Sequence, residues 1–269
     1  MVKPRVIVLT GYGINCEEET AFAFETAGSV SKIIHVNDLI ENSAMLDEFQ
    51  VLVFPGGFSY GDDTGSGKAL ANRMKNNLFD EIKRFVERDT LTLGICNGFQ
   101  VLVNLGLLPL LGGFTGTAQA ALEYNRTFRY QCRWIDIKIE KNSPSVFTRN
   151  MKRMHIPVAH GEGNFYAPDD HLEKIESGFL IPMRYIRPDG SLAGGEFPYN
   201  PSGSTRDIAS ICSPDGRIMG MMPHPERGMF FTQRDDWTYL KEKCKREGTE
   251  VPVYSDGMDL FRNAVEYFN

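Results

Sequence analysis

Short, continuously apolar runs alternate with amphipathic stretches through the first half of the chain. Arg5 to Thr10, Lys32 to Val36, Val51 to Phe54 and Leu91 to Ile95 read as strands rich in branched residues, several ended by Gly or Pro. Asn15 followed three residues later by Glu18 predicts an N-cap with a capping-box partner. The helix it would open carries Phe22, Ala23 and Ala27 on its apolar side and stops at Gly28. Met45 to Phe49 reads as a short helix. From Lys68 to Arg88, Leu70, Met74, Leu78, Ile82, Phe85 and Val86 fall mostly three or four apart, which predicts a long amphipathic helix. A further helix opens after Cys96 and is stopped by Gly106 and Pro109. Buried strands alternating with helices predict a parallel sheet covered on both faces.

The second half reads as more antiparallel. Tyr130 to Ile139 alternates in part, and His155 to Val158 is a short run leading to His160-Gly161-Glu162-Gly163. Asp169 to Glu176 reads as a helix and Ile181 to Ile186 as a strand. Ile208 to Cys212 and Arg217 to Met222 flank Ser213-Pro214-Asp215-Gly216, a strong hairpin signal. The second arm runs into Pro223-His224-Pro225-Glu226-Arg227. Residues 229 to 253 are charged, aromatic and partly helical, and Asp259 to Phe268 reads as a closing helix.

Composition narrows the class. The chain has 269 residues, 42% of them hydrophobic and 24% charged, ordinary for a soluble globular protein with a sizeable core. A formal net charge of -6 argues against a broad nucleic-acid-binding surface. Five Cys with no C-x-x-C pair fit reduced thiols better than a disulfide framework or a zinc site. No apolar run is long enough to span a bilayer, and none near the N-terminus is long enough for a signal segment, so a cytoplasmic protein is expected.

The chemistry gathers where a parallel sheet binds its ligands, at the carboxyl ends of the strands. Gly94 and Gly98 flank Cys96 at the spacing of a nucleophile elbow, with the thiol at a helix N-terminus that favours its thiolate. A buried structural Cys is the competing account. Gly11 to Asn15 and Pro55 to Gly67 are the other strand-end loops, and consecutive Gly56 and Gly57 can aim backbone N–H groups at developing negative charge. Gly67-Lys68 is no P-loop, because Asp62 stands where the first Gly belongs and Ala69 replaces Ser/Thr. A Cys nucleophile needs a base. Of the five His, His160 and His224 sit at strand-to-loop junctions. His224 has the stronger case, since Pro223 and Pro225 restrict it and Glu226 projects on the same side if the segment is extended. A rigid surface turn is the alternative there.

Together these residues resemble a class I glutamine amidotransferase. Gly13-Ile14-Asn15-Cys16-Glu17, Pro55-Gly56-Gly57-Phe58-Ser59-Tyr60-Gly61-Asp62, Gly94-Ile95-Cys96-Asn97-Gly98-Phe99-Gln100, His160-Gly161-Glu162-Gly163, Asn200-Pro201-Ser202-Gly203-Ser204 and Pro223-His224-Pro225-Glu226-Arg227 occur in that order. The set is similar to the glutaminase components of phosphoribosylformylglycinamidine synthase, over roughly residues 5 to 228, with a weaker echo at Asp256-Gly257. Two stretches depart from that family's pattern: Asp63-Thr64-Gly65-Ser66-Gly67, and the extra length at 229 to 253. Both leave the Cys, His and Glu intact and bear on docking.

The resemblance implies a flavodoxin-like three-layer α/β/α amidotransferase fold, mainly parallel with an antiparallel portion, as a single domain over 1 to 269 with an insertion at 229 to 253. It implies Cys96 as nucleophile, His224 as base and acid, and Glu226 as its orienter. Gly57 and Asn97 would supply the oxyanion hole, and Gln100, Gly161 and Glu162 would bind glutamine. No cofactor or metal is expected in this chain. The ammonia would pass to an ATP-dependent synthetase large subunit carrying ATP and Mg, an additional small subunit being left open. Two other classes compete. In a protease- or chaperone-type Cys hydrolase the base usually follows the Cys closely, whereas here no His follows until His155; an inactive regulatory protein would not need the Cys, His and Glu.

Overall fold

The structure is a computed structural model, and it describes residues 3 to 269. In chain order its elements are β1 (Arg5–Thr10), α1 (Glu17–Ala27), β2 (Val30–His35), α2 (Val36–Glu41), β3 (Val51–Phe54), α3 (Lys68–Glu87), β4 (Leu91–Ile95) and α4 (Asn97–Leu105). Then follow β5 (Ala121–Glu123), β6 (Gln131–Ile139), β7 (Arg153–His160), β8 (Asn164–Tyr166), α5 (Asp169–Ser177) and β9 (Met183–Ile186). The chain closes with β10 (Ile208–Cys212), β11 (Ile218–Met221), α6 (Trp237–Glu247) and α7 (Asp256–Glu266).

A nine-stranded sheet has the order β2-β1-β3-β4-β11-β10-β9-β6-β7. The first five are parallel neighbours, and every pairing from β11 onward is antiparallel. This is the mixed α/β sheet expected, with the antiparallel strands continuing the parallel sheet rather than forming a second one. The chain steps outward from β1 to β2, then crosses back to β3 and on to β4. With right-handed crossovers that reversal puts successive helices on opposite faces. Accordingly α1 packs on α7, with Phe24 edge-on to Phe261 at 5.0 Å, while α3 and α4 pack together elsewhere. The all-buried β3 and β4 lie between these helices.

The antiparallel half curls back toward the parallel half. The His224 amide donates to the Pro157 carbonyl at 2.8 Å, and the Cys96 thiol points at the Ala159 carbonyl, 3.7 Å away. The far-edge strand β7 therefore reaches the loops at the carboxyl ends of β4 and β11.

Three local expectations are corrected. Asn15 is not the cap of α1: Cys16 holds that position with no side-chain cap bond, and Asn15 Oδ1 lies 3.2 Å from the Cys16 thiol instead. Phe22 is 50% exposed rather than in the core, tilted against Phe230 at 6.2 Å, because Thr20, Ala21, Ala23 and Phe24 form the buried face. The second strand ends at His35, whose Nδ1 accepts from the Asn37 amide and caps α2, a helix too short and polar to register as a period. The segment 229 to 253 starts in the core, with Met229 and Phe231 buried, and then runs to the surface. Its two ends are joined where Phe230 bridges Tyr254, and α6 buries none of its residues. The base is tied down by His155 on Asp235 at 2.9 Å and by Arg234 on Asp236 at 2.8 Å and on Asp256 at 3.2 Å.

The turn between β4 and α4 depends on bare α-carbons. A Cβ on Gly94 would stand 2.7 Å from Gly98, and one on Gly98 would overlap the Phe54 carbonyl oxygen. The obstacle at Gly98 is backbone, which cannot swing aside. Gly98→Ala is expected to cost on the order of 1–3 kcal/mol or more, read as a lower urea midpoint; an unchanged midpoint would show that β3 yields freely.

Candidate active site

Three neighbouring parallel strands deliver the site. β3 ends in Pro55-Gly56-Gly57, β4 ends in Cys96, and β11 runs through Met222-Pro223 to His224. Gly220 pairs with Gly94 and Met221 with Ile95, so the residues after these strands emerge side by side. Cys96 takes φ 50° and ψ -106°, a strained turn for a residue with a side chain, and its amide continues the ladder to the Met221 carbonyl at 2.7 Å. Only 4% of Cys96 is exposed.

His224 and Glu226 meet although the segment is not extended. Pro225–Arg227 forms a single 3-10 turn, and this tight turn, not a strand period, brings the carboxylate back to the ring. His224 Nδ1 and Glu226 Oε1 lie 2.5 Å apart, with the residues only 2% and 1% exposed. Burial opposes charge on the imidazole, yet the Glu226 carboxylate, then the Cys96 and Cys16 sulfurs, hold its proton affinity well above the ordinary histidine value. Nδ1 is thus committed to the carboxylate, which leaves Nε2 buried and without a hydrogen-bond partner.

Gly57 has φ 149° and is pressed against Gly13 and Ile14. Its neighbours bond across that contact, Phe58 amide to Gly13 carbonyl at 2.7 Å and Asn15 amide to Gly56 carbonyl at 3.3 Å. Gly57 itself is the non-hydrogen-bonded member of the pair, so the contact does not use its N–H. Asn97 is the first residue of α4, where a helix leaves backbone N–H groups without an intrahelical partner.

A cleft of about 110 Å³ opens in front of Cys96. Its walls include Gly57, Gln100, Gly161 and Glu162 from among the expected residues, together with Phe58, Asp62, Ser66, Tyr124, Tyr130 and His160. The polar groups interlock. Gln100 Nε2 donates to the Glu162 carbonyl at 2.6 Å, Asn97 Nδ2 to Gln100 Oε1 at 3.0 Å, and the Ser66 amide to Glu162 Oε2 at 3.2 Å. Gln100 and Glu162 therefore brace one another across the wall. The departing segment 63 to 67 belongs to this wall, since a Cβ on Gly67 would come within 2.8 Å of α4 backbone. Burial raises the Asp62 carboxyl, the Glu162 and Asp63 charges add to this, and the nearby polar Ser66 opposes it.

Several of these residues carry no mark in the sequence pattern. His160, the weaker of the two candidate bases, lines the cleft with Nδ1 3.1 Å from Asn125 Oδ1, which also accepts from the Gly163 amide. Burial, with His224 nearby, holds His160 down to about 3, so it is neutral there. Nothing in the sequence points to Asn125. Cys16 lies one residue beyond the Gly11 to Asn15 loop, buried beside His224. Among the described residues, Cys16, His224 and Glu226, and separately His155, Asp235 and Asp236, have ligand-type atoms within 4.8 Å of one another. In the first group the imidazole and carboxylate already bond each other and Arg227 faces the thiol; in the second Arg234 supplies the positive charge. Neither set is shaped for a metal.

Comparison with known proteins gives the family. Residues 3 to 268 match the CobB/CobQ-like glutamine amidotransferase domain. The phosphoribosylformylglycinamidine synthase subunit PurQ of Methanococcus maripaludis is 48% identical over 269 residues, covering 100% of this chain and 98% of that protein. The chain belongs to the PurQ family. It is a glutaminase subunit of phosphoribosylformylglycinamidine synthase, which acts in purine biosynthesis. The PurQ subunit of Dehalococcoides mccartyi is 40% identical over 267 residues, covering 99% of this chain and 98% of its own. Among solved structures, PurLQS from Thermotoga maritima matches with a TM-score of 0.71 at 28% identity, each chain covered completely. No helix among the described residues is long and apolar enough to cross a membrane.

The neutral, buried His160 has a measurable consequence. Between about pH 3 and the ordinary histidine value of 6.5, the unfolded chain binds a proton there that the folded chain refuses, so stability falls as pH falls through that window. His160→Gln is expected to flatten the loss of urea stability on acidification by up to ~1.4 kcal/mol per pH unit. Equal slopes for parent and variant would show that His160 takes up its proton without unfolding.

Proposed function

We propose that Cys96, His224 and Glu226 are the residues with which this glutaminase works. The observation that carries the reading is the emergence, from adjacent parallel strands, of Cys96, which lines a cleft, and of the buried His224–Glu226 pair. His224 Nε2 takes the thiol proton as Cys96 attacks the side-chain amide carbon of glutamine. The negative oxygen that forms is held by the N–H groups of Gly57 and Asn97. His224 then returns the proton to the leaving nitrogen, which departs as ammonia and leaves a glutamyl thioester. A water molecule, deprotonated by His224, hydrolyses the thioester to glutamate and restores the thiol. Glu226 keeps the ring in the tautomer this cycle needs and offsets the imidazolium charge.

Gln100, Gly161 and Glu162 line the cleft and serve glutamine binding, Gln100 and Glu162 largely by holding the wall in shape. No residue of this chain is assigned to ATP or Mg, both of which belong to the synthetase that consumes the ammonia. The Thermotoga maritima relative was solved as PurLQS, and we infer the same kind of assembly here, with a PurL synthetase and a PurS small subunit. Residues 1 to 269 act as one domain, with 229 to 253 as an outward insertion; the continuous hydrophobic core supports this. A cytoplasmic location follows from that role.

The test compares glutamine-dependent with ammonia-dependent synthesis in the assembled synthase. Cys96→Ala is expected to abolish glutamine use, by at least on the order of 10⁴-fold, while ammonia still supports synthesis. Glu226→Gln should lower kcat on the order of 10²–10⁴-fold with KM little changed. Glutamine-dependent turnover that survives Cys96→Ala would remove the nucleophile assignment.

A further inference from the structure

A second thiol lies beside the base. The loop after β1 passes beneath the end of β3, where the amides of Asn15 and Cys16 both reach the Gly56 carbonyl at 3.3 Å. This pins Cys16 at the head of α1, and Thr20 Oγ1 bonds its carbonyl at 2.6 Å. Its side chain turns inward and is 1% exposed. Gly56 is the point where sulfur and imidazole come together: a Cβ there would stand 3.0 Å from Cys16 Sγ and 2.7 Å from His224 Cε1. The sulfur, a His224 nitrogen and a Glu226 oxygen lie within 4.8 Å of one another.

Cys16 is not a plain packing thiol. Arg227 Nη2 donates to its sulfur at 2.9 Å, and Glu19 Oε1 holds the same guanidinium at 3.4 Å. A buried structural Cys sits among apolar groups; this one faces a guanidinium, an imidazole and an amide oxygen. It is not a second nucleophile either, because it lies away from the walls of the cleft in front of Cys96.

We propose that Cys16 is a positioning residue for glutamine hydrolysis: braced by Arg227, its sulfur fixes the His224 ring against Glu226 and steadies the imidazolium formed when Cys96 gives up its proton. The proposal rests on the assignment of His224 as base. The charged and titratable groups around the ring are Glu226, Cys96 and Cys16, with Arg227 behind, and His160 and Tyr130 toward the cleft. Burial pushes the Cys16 thiol up, while His224 and Arg227 pull it back, as expected for an electron-rich partner of a cation.

The test uses the assembled synthase and the full-length chain. Cys16→Ala is expected to lower glutamine-dependent kcat about tenfold, with KM and ammonia-dependent synthesis unchanged. Cys16→Ser, which keeps a small polar group, should recover most of the loss. Arg227→Gln should lower kcat also, and the double variant Cys16→Ala/Arg227→Gln should be no slower than Cys16→Ala alone. In the free chain, the His224 ring resonance should titrate at lower pH in Cys16→Ala, by about half a unit or more. A kcat within twofold of the parent, an unmoved His224 titration, or fully additive losses would each overturn the proposal. If Cys16→Ala does not fold, Cys16→Val decides by the same titration, which must still move downward. Failure of the base assignment itself would show differently, as glutamine turnover that survives Cys96→Ala or His224→Ala.

Discussion

The parallel pairing of β4 with β11 is the constraint on which the site depends. These strands lie more than a hundred residues apart in the chain, and their register sets Ile95 opposite Met221. Everything chemical follows from that alignment, since Cys96 comes directly after one strand and His224 shortly after the other. A slip of one residue would turn every side chain of β11 to the other face of the sheet and move the imidazole out of reach. The pairing is protected by burial of both strands and by Gly220, whose bare α-carbon admits the Phe99 ring of α4.

The buried His224–Glu226 pair adds a second requirement. A carboxylate removed from water is costly unless something answers its charge, and here one oxygen has the imidazole while the other has no partner. The fold tolerates this because the surroundings are rigid. Arg227 stands 4.0 Å from the carboxylate, and a Cβ on Gly257 of α7 would overlap the Pro225 carbonyl, so the terminal helix closes directly over the turn. Stability is given up at this point in exchange for an imidazole of fixed orientation.

Much of this was legible in the sequence because it rests on local pattern. The apolar runs of β1, β3 and β4, the 3.6-residue period of α3 and the glycines around Cys96 each declare their own role. What was not legible depends on long-range geometry. That Glu226 reaches His224 through a tight turn follows from the packing of Pro225 under α7, not from any period. The curl that carries Ala159 and His160 of β7 over Cys96 is a property of sheet twist accumulated across several strands. Cys16 falls within a motif that marks no role for it, because its surroundings come from β1, β3 and β11, and no one of these segments reveals the other two.

His224 is almost sealed from solvent, and Glu226 behind it more so. With Nδ1 held by the carboxylate, Nε2 is the ring nitrogen that no group among the described residues occupies, so the shell around the pair leaves the imidazole a single port.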